Sequence, residues 1–444
     1  MNTFIAGIFL TKRFYTLIAS MAVGFAIAFF IPVIFVGIKI LFAVLISLFA
    51  ADCFFLFRRG KLVSAKRLVS KRLSNGDENE ITITVINGYN FEVQVLIIDE
   101  IPIQFQIRDF TLAMRLAAGE TITSTYMLTP TQRGNFHFND IQIYVSTGLK
   151  LATRRITVPA KNTVQVFPSF ANFKKQQLKA IATSAAYSGN NKVRRIGQSM
   201  EFEQIKDYSI GDDIRNINWK ATARKGLLMV NNYVDEKSQE LYCVIDKGRL
   251  MKMPFGGLSL LDYAINSTLA LTNISLQKKD KVGLISFGHS MGAMISADRN
   301  PIQRGLIMQA LYKEETMFLE SDFELLYTQI RHKIKKRSLI ILFTNFETQH
   351  GLQRQLPYLR SIARHHLLLV IFFENTELSK LGTTAAATKT DIYVKAIAEK
   401  FVFEKKLLVK ELYKYGITAM ISTPGQLTVN AINKYLEIKA KQAV

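Results

Sequence analysis

Gly288-His289-Ser290-Met291-Gly292 has the residue types of a nucleophile turn: it matches G-x-S-x-G and follows an apolar strand run at 282–287. Such a serine needs a helix to begin at its own position, with the helix N-terminus aimed at the reacting centre. Residues 293–297 instead alternate as a short strand, closed by Asp298-Arg299-Asn300-Pro301. A glycine-rich hairpin turn uses the same letters, because glycine reaches positive φ without strain. His332, His350, His365 and His366 supply partners for a triad by composition, so a membrane-tethered serine hydrolase using Ser290 stands as the alternative function. No G-x-x-x-x-G-K-[ST] loop occurs, and no Cys/His spacing points to zinc. No cofactor is expected.

The densest polar constellation runs from 197 to 236. Gly211-Asp212-Asp213 is expected to turn the chain and cap a helix, an Asp side chain accepting backbone N–H bonds. On that helix Asn216, Lys220 and Arg224 recur at i, i+4 and i+8 as a basic face, with Ile214, Ile217 and Ala221 as an apolar one. Arg215 and the only tryptophan, Trp219, lie beside the basic stripe. The carboxylates of Asp207, Asp212 and Asp213 raise acid–base or metal chemistry, but no pocket pattern comes with them. Two readings remain, a structural knot of ion pairs and a partner-binding face.

This segment resembles the signature of the domain of unknown function 58 family, approximately F-E-x-I-R-D-Y-x-x-G-D-D-x-R-x-I-D-W-K-x-T-A-R. It stands here as Phe202-Glu203, Ile205-Lys206-Asp207-Tyr208, Gly211-Asp212-Asp213, Arg215, Ile217-Asn218-Trp219-Lys220 and Thr222-Ala223-Arg224. Lys206 replaces an Arg and Asn218 an Asp. The resemblance implies paired N-terminal helices, a sandwich, and a C-terminal part similar to a von Willebrand factor A domain. Such domains often hold a divalent ion through D-x-S-x-S after the first strand, with a Thr and an Asp from later loops. The matching stretch is Asp246-Lys247-Gly248-Arg249-Leu250, in which Gly248 and Leu250 lack a side-chain oxygen, and Asn345 stands where the later Asp belongs. Hard cations need several oxygen ligands, so a degenerate site without metal is expected. The resemblance also implies partnership with a MoxR-type AAA+ ATPase.

The elements that must position these residues are legible from patterning. Between residues 14 and 57 the only charges are Lys39 and Asp52, which fits two membrane helices at 14–31 and 37–57 with Pro32 in a tight connection. Lys12 and Arg13 precede the run, Arg58, Arg59 and Lys61 follow it, and the connection carries only Lys39. The positive-inside rule then gives a two-pass protein of the cell inner membrane with both termini cytoplasmic. Ala26-Ile27-Ala28 mimics a signal-peptide cleavage site, yet the apolar run continues straight through it. Residues 58–72 hold seven cations and no acid, read as a stop-transfer flank in contact with anionic membrane lipid.

Beyond the anchor, 81–85, 91–98, 121–128 and 136–145 alternate as strands, with Asn87-Gly88 and Arg133-Gly134 as turns. A β-sandwich is expected there. From 241 onward strands and helices alternate, which calls for a mostly parallel sheet covered on both faces. The expected organisation is multidomain: a two-helix anchor at 1–60, a basic juxtamembrane segment at 61–73, a β-sandwich at 74–168, helix, linker and signature at 169–236, and an α/β von Willebrand factor A-like domain at 237–444. A net charge of +22 requires an anionic partner, and with only two cysteines no disulfide framework is signalled. No nucleic-acid reader motif accompanies the charge, so nucleic-acid binding ranks third. The expected function is a non-enzymatic membrane scaffold that recruits cytoplasmic protein.

Overall fold

A computed structural model of the chain describes residues 7–58, 62–169, 200–235, 239–383 and 388–441. The helix expected at 171–186 and the linker at 189–197 lie outside the described residues. The chain divides into two compact units, Met1–Phe167 and Pro168–Val444.

In the first unit, α1 (Lys12–Phe30) and α2 (Pro32–Phe57) are long and apolar enough to cross a membrane. Ile31 alone separates them, and Pro32 is the first helical residue rather than part of a connection. Proline is tolerated there because its missing N–H would have no intrahelical partner. Lys39 therefore lies inside α2, with its ammonium 4.4 Å from the Phe35 ring centroid, and not in the connection where the sequence placed it. Phe14 of α1 stacks on Phe49 of α2 at 4.5 Å.

Among the described residues ten strands follow α2 around a common core, and an eleventh, β1, lies ahead of α1. A five-stranded sheet runs β1 (Ile8–Leu10), β10 (Ala152–Val158), β9 (Ile141–Ser146), β5 (Val93–Asp99), β6 (Thr111–Leu116). Two three-stranded sheets complete the unit: β2 (Ser64–Leu68), β4 (Asn79–Ile86) and β7 (Thr121–Leu128), and β3 (Arg72–Ser74), β11 (Asn162–Phe167) and β8 (Gly134–Phe138). Inward residues of β4 and β5 are fully buried, among them Ile81, Ile83, Val93 and Ile97, as period-2 alternation requires. Asn87-Gly88 does not close a hairpin between neighbours, since β4 pairs with β2 and β7 while β5 pairs with β6 and β9. The buried Asn87 amide holds this crossing loop, donating to the carbonyls of Phe91 (3.0 Å) and Ala117 (2.8 Å).

The basic flank is partly drawn into strands, its residues 59–61 lying outside the described residues. Lys66 and Arg67 lie in β2 and Arg72 in β3. The buried Arg67 guanidinium pairs with Asp99 and donates to the Asn139 carbonyl at 2.9 Å, so it is a core group and not a lipid contact. Alternation decided this: Ala65 and Arg67 share the half-buried face of β2, while Lys66 stays on its open face.

Both ends of the helical hairpin are stitched to the five-stranded sheet. β1, just ahead of α1, pairs antiparallel with β10. At the foot of α2, Asp52 is buried and accepts from the Thr147 hydroxyl and from the backbone N–H groups of Leu151 (3.0 Å) and Ala152 (2.9 Å). The chain thus enters and leaves the hairpin on one side.

The second unit opens with an antiparallel ribbon, β12 (Met200–Asp207) and β13 (Met229–Asp235). The body is a six-stranded sheet in the order β18 (Met291–Asp298), β17 (Lys281–Phe287), β14 (Glu240–Asp246), β19 (Leu339–Phe343), β20 (Leu367–Phe373), β21 (Thr418–Ser422). All neighbours are parallel except β18, which turns back on β17. A short ribbon, β15 (Pro254–Phe255) and β16 (Leu258–Ser259), lies outside this sheet. Leu241, Cys243 and Ile245 face one core with the helices Leu260–Gln277, Ile302–Tyr312 and Leu427–Ala440; Tyr242 and Val244 face the other with Phe323–Lys333, Gln349–His365 and Lys389–Lys414. Burial on both faces explains why these strands read as unbroken apolar runs, each buried Leu or Ile side chain contributing about 1.5–3 kcal/mol.

Candidate functional site

Three places in the second unit gather the residues singled out by sequence. The first is the loop between β12 and β13. Asp213 does cap, accepting from the Arg215 N–H at 3.0 Å, but it opens only one 3-10 turn, Ile214–Asn216. Ile217 is extended and bridges to Val230 of β13, which breaks the single helix expected from 214 to 224. The helix proper, α3 (Trp219–Lys225), starts afresh under Asn218. Its Oδ1 accepts from the Ala221 N–H at 3.0 Å, and its Nδ2 donates to Asn231 at 2.8 Å. An Asn fills this double role where an Asp lacks the donor. Gly226, in the left-handed region at φ 70°, closes α3 by donating its N–H to the Thr222 carbonyl.

Two of the three carboxylates are used internally. Lys206 pairs with Asp212 at 2.8 Å, and Lys225 with Asp207 at 2.8 Å. The Lys206 ammonium and the Ser209 N–H hold the Asp212 carboxyl below its ordinary range. Lys206 therefore performs the pairing expected of an Arg. Asn216 lies off α3, so only Lys220 and Arg224 share its face, and Ile214 is exposed rather than an inward anchor. Arg215, Lys220 and Arg224 have no ion-pair partner among the described residues, and Trp219 is 68% exposed.

The second place lies beyond the carboxyl ends of β14 and β19, where chain connections diverge to opposite sides of the sheet. Asp246, Gly248, Leu250 and Asn345 line a cleft of about 630 Å³. The buried Asp246 carboxylate accepts from the Gly248 N–H (2.8 Å), the Thr344 hydroxyl (2.6 Å) and the Ser321 hydroxyl. Burial pushes its carboxyl upward, against those three donors. A Cβ at Gly248 would stand 2.3 Å from Ser321 Oγ, so Ser321 occupies the space that a serine at 248 would need. The sequence reading missed Ser321 and Thr344; their only local signal is polarity just before a helix and just after a strand. Asn345 Oδ1 is buried without a hydrogen-bond partner among the described residues. Asp246 is the one carboxylate of the set and both of its oxygens already accept internal hydrogen bonds, a poor fit to a divalent ion, which needs several free oxygen ligands. No cluster of three His, Cys, Asp or Glu side chains occurs among the described residues.

Asn345 also lines an adjoining cavity of about 340 Å³ with Glu347, Glu374, Phe401 and Lys405. Burial lowers the Lys405 ammonium to about 8, opposed by the fields of both glutamates.

The third place is the Ser290 turn. It joins β17 to the antiparallel β18, as the alternation at 293–297 predicts, and no helix begins at Ser290. Gly292 has a packing role instead: a Cβ there would meet Ser286 Oγ at 2.3 Å and Lys247 Nζ at 2.5 Å. That space holds a buried ion pair, Lys247 to Glu314 at 2.6 Å, with Ser286 and the Ala293 N–H also donating to Glu314. Burial raises the Glu314 carboxyl, but these donors outweigh it and hold the group below its ordinary range.

Solved structures overlap the chain only weakly. The conserved hypothetical protein BatB from Bacteroides thetaiotaomicron aligns with a TM-score of 0.31 and 13% identity, over 46% of this chain and 100% of its own. Proximal thread matrix protein 1 from the mussel byssus aligns at 0.26 and 8%, over 46% of this chain and 47% of its own. In sequence, the uncharacterized protein YeaD of Bacillus subtilis (strain 168) is 22% identical over 248 residues, 54% of this chain, and the chain spans 58% of that protein's length. The model of the family described as "Protein of unknown function DUF58" matches residues 204–392, a range that takes in the ribbon loop, Asp246, Ser290 and Asn345.

Proposed function

We propose that the protein is a membrane-anchored, non-enzymatic adaptor whose β12–β13 loop docks a cytoplasmic protein. One observation carries this reading. The loop is braced by its own two ion pairs and still presents Ile210, Ile214 and Trp219 to solvent beside Arg215, Lys220 and Arg224, which have no ion-pair partner among the described residues. A soluble fold gains nothing from exposing apolar side chains in a braced loop, whereas Trp and Arg dominate binding hot spots. The partner class implied by the family resemblance is a MoxR-type AAA+ ATPase. Parallel strands with helices on both faces support a von Willebrand factor A-like reading of the second unit, used as a platform without its metal. The one-sided exit of the helical hairpin supports a two-pass anchor, and the flanking cations support a cytoplasmic body.

Crosslinking and pull-down from native membranes tests the docking face. Lys220→Ala with Arg224→Ala is expected to slow association and flatten its salt dependence, since rim charges act mainly on encounter. Undiminished recovery of the same partner by a folded double variant would sink the proposal.

A further inference from the structure

Besides the basic flank at 58–72, a second group of cations lies in the first unit. A groove of about 660 Å³ opens where α1 leaves the five-stranded sheet. Its cations are Lys12 and Arg13 at the start of α1, Arg115 of β6, and Lys150 ahead of β10. No carboxylate lines it, and none of the four cations has an ion-pair partner among the described residues. The floor is a polar row set by register: Arg115 lies opposite Gln94, Gln94 opposite Ser146, and Ser146 opposite Thr153. Leu96, Tyr144 and Phe9 form the apolar rim, with Phe9 edge-on to Tyr144 at 5.7 Å.

The groove is held in place at the helix entry. The Thr11 hydroxyl caps α1 and donates to the Lys150 carbonyl, which fixes Lys150 beside Lys12. Lys150 itself adopts φ 55°, a left-handed conformation uncommon for a residue with a side chain. At 1.5 Å per residue the 19 residues of α1 cover about 28 Å, close to the roughly 30 Å of a bilayer's hydrocarbon core. Lys12 and Arg13 then stand at headgroup depth.

We infer that this groove binds the headgroup of an anionic phospholipid, its phosphate among Lys12, Arg13, Arg115 and Lys150 and its acyl chains running along the exposed apolar side of α1. The inference rests on the membrane-spanning reading of α1 and α2. Charge complementarity selects an anion, and continuity with an apolar helix selects an amphipathic one over free phosphate.

The test uses the full chain in nanodiscs of phosphatidylcholine with phosphatidylglycerol, followed by native mass spectrometry of lipids retained after detergent extraction. Wild type is expected to retain phosphatidylglycerol in preference, and Arg115→Ala with Lys150→Ala to lose about 25-fold in that preference, each cation near a membrane surface contributing about a fivefold effect. Lys66→Ala with Lys71→Ala removes equal charge elsewhere on the unit and is expected to keep the preference. Equal retention by the groove variant, equal loss in the Lys66/Lys71 control, or displacement of the lipid by soluble glycerol phosphate would each overturn the inference. Carbonate extraction of the native membranes separates the two levels: release of the protein refutes the membrane-spanning reading, whereas an anchored protein without lipid preference refutes the groove alone.

Discussion

Asp246 and the carboxylates of the β12–β13 loop sit in opposite environments. Asp246 is buried, and three donors satisfy both of its oxygens. Asp207 and Asp212 are solvent-accessible, and each is paired with a lysine close by in the loop. Both clusters look like chemistry in the sequence. The first resembles a metal site but spends its hydrogen-bonding capacity on its own fold. The second resembles an ion-pair knot but, among the described residues, leaves its strongest binding groups, Trp219, Arg215, Lys220 and Arg224, unspent. The contrast teaches that what a site has left over after satisfying its own fold is a better guide to function than residue type.

The largest expected effect tests the buried side of this contrast. Asp246→Ala removes the acceptor from the Gly248 N–H and the Ser321 and Thr344 hydroxyls, and unsatisfied buried donors cost about 1–3 kcal/mol each. A loss of about 3 kcal/mol or more is expected in denaturant titration; a loss below about 1 kcal/mol would show that the cluster is not a structural lock.

Glu314→Gln comes next, with an expected loss of about 3 kcal/mol near neutral pH, because it strips the partner from the buried Lys247. Its pH dependence has a defined sign. The folded carboxyl is held below its ordinary range, so its stabilisation is fully present above the unfolded value of about 4.3 and is lost as pH falls through the folded value. Wild type and variant melting curves should therefore diverge at neutral pH and converge in acid.

On the exposed side, Lys220→Ala with Arg224→Ala should change stability by less than about 0.5 kcal/mol, since neither cation is paired among the described residues. A larger loss in a thermal melt would move these residues to a structural role. The smallest effect expected is none: magnesium or manganese should leave the melting temperature of the protein unchanged. A saturable shift abolished by Asp246→Ala would restore a metal to the site.

Much of the fold was legible because single-element patterns carried it. The two apolar helices, the alternation of the strand-rich region and the unbroken apolar runs of the parallel sheet are local signals, and the strands expected at 282–287 and 293–297 lie within two residues of β17 and β18. Local signals failed where a distant partner competed. The pattern at 214–224 fits one helix, but the pairing of Ile217 with Val230 holds the chain extended and moves the start of α3 to Trp219. Residues 58–72 read as a charged flank until β4 and β11 take up their alternating positions as strands.

The sequence by itself determined composition, periodicity and motif: two long apolar helices, an alternating strand-rich region, an α/β body and a signature rich in Asp and Lys. Only tertiary structure decided which polar groups were consumed. Asp52, Arg67, Asp246 and Glu314 each depend on partners distant in sequence, such as Ala152 for Asp52, 100 positions away, and Ser286 for Glu314, 28 positions away. Lys12, Arg115 and Lys150 meet in one groove from three separate elements. Hydrogen bonds and desolvation act through space over a few ångströms, so no spacing along the chain announces which charge the fold will bury and which it will leave to a partner.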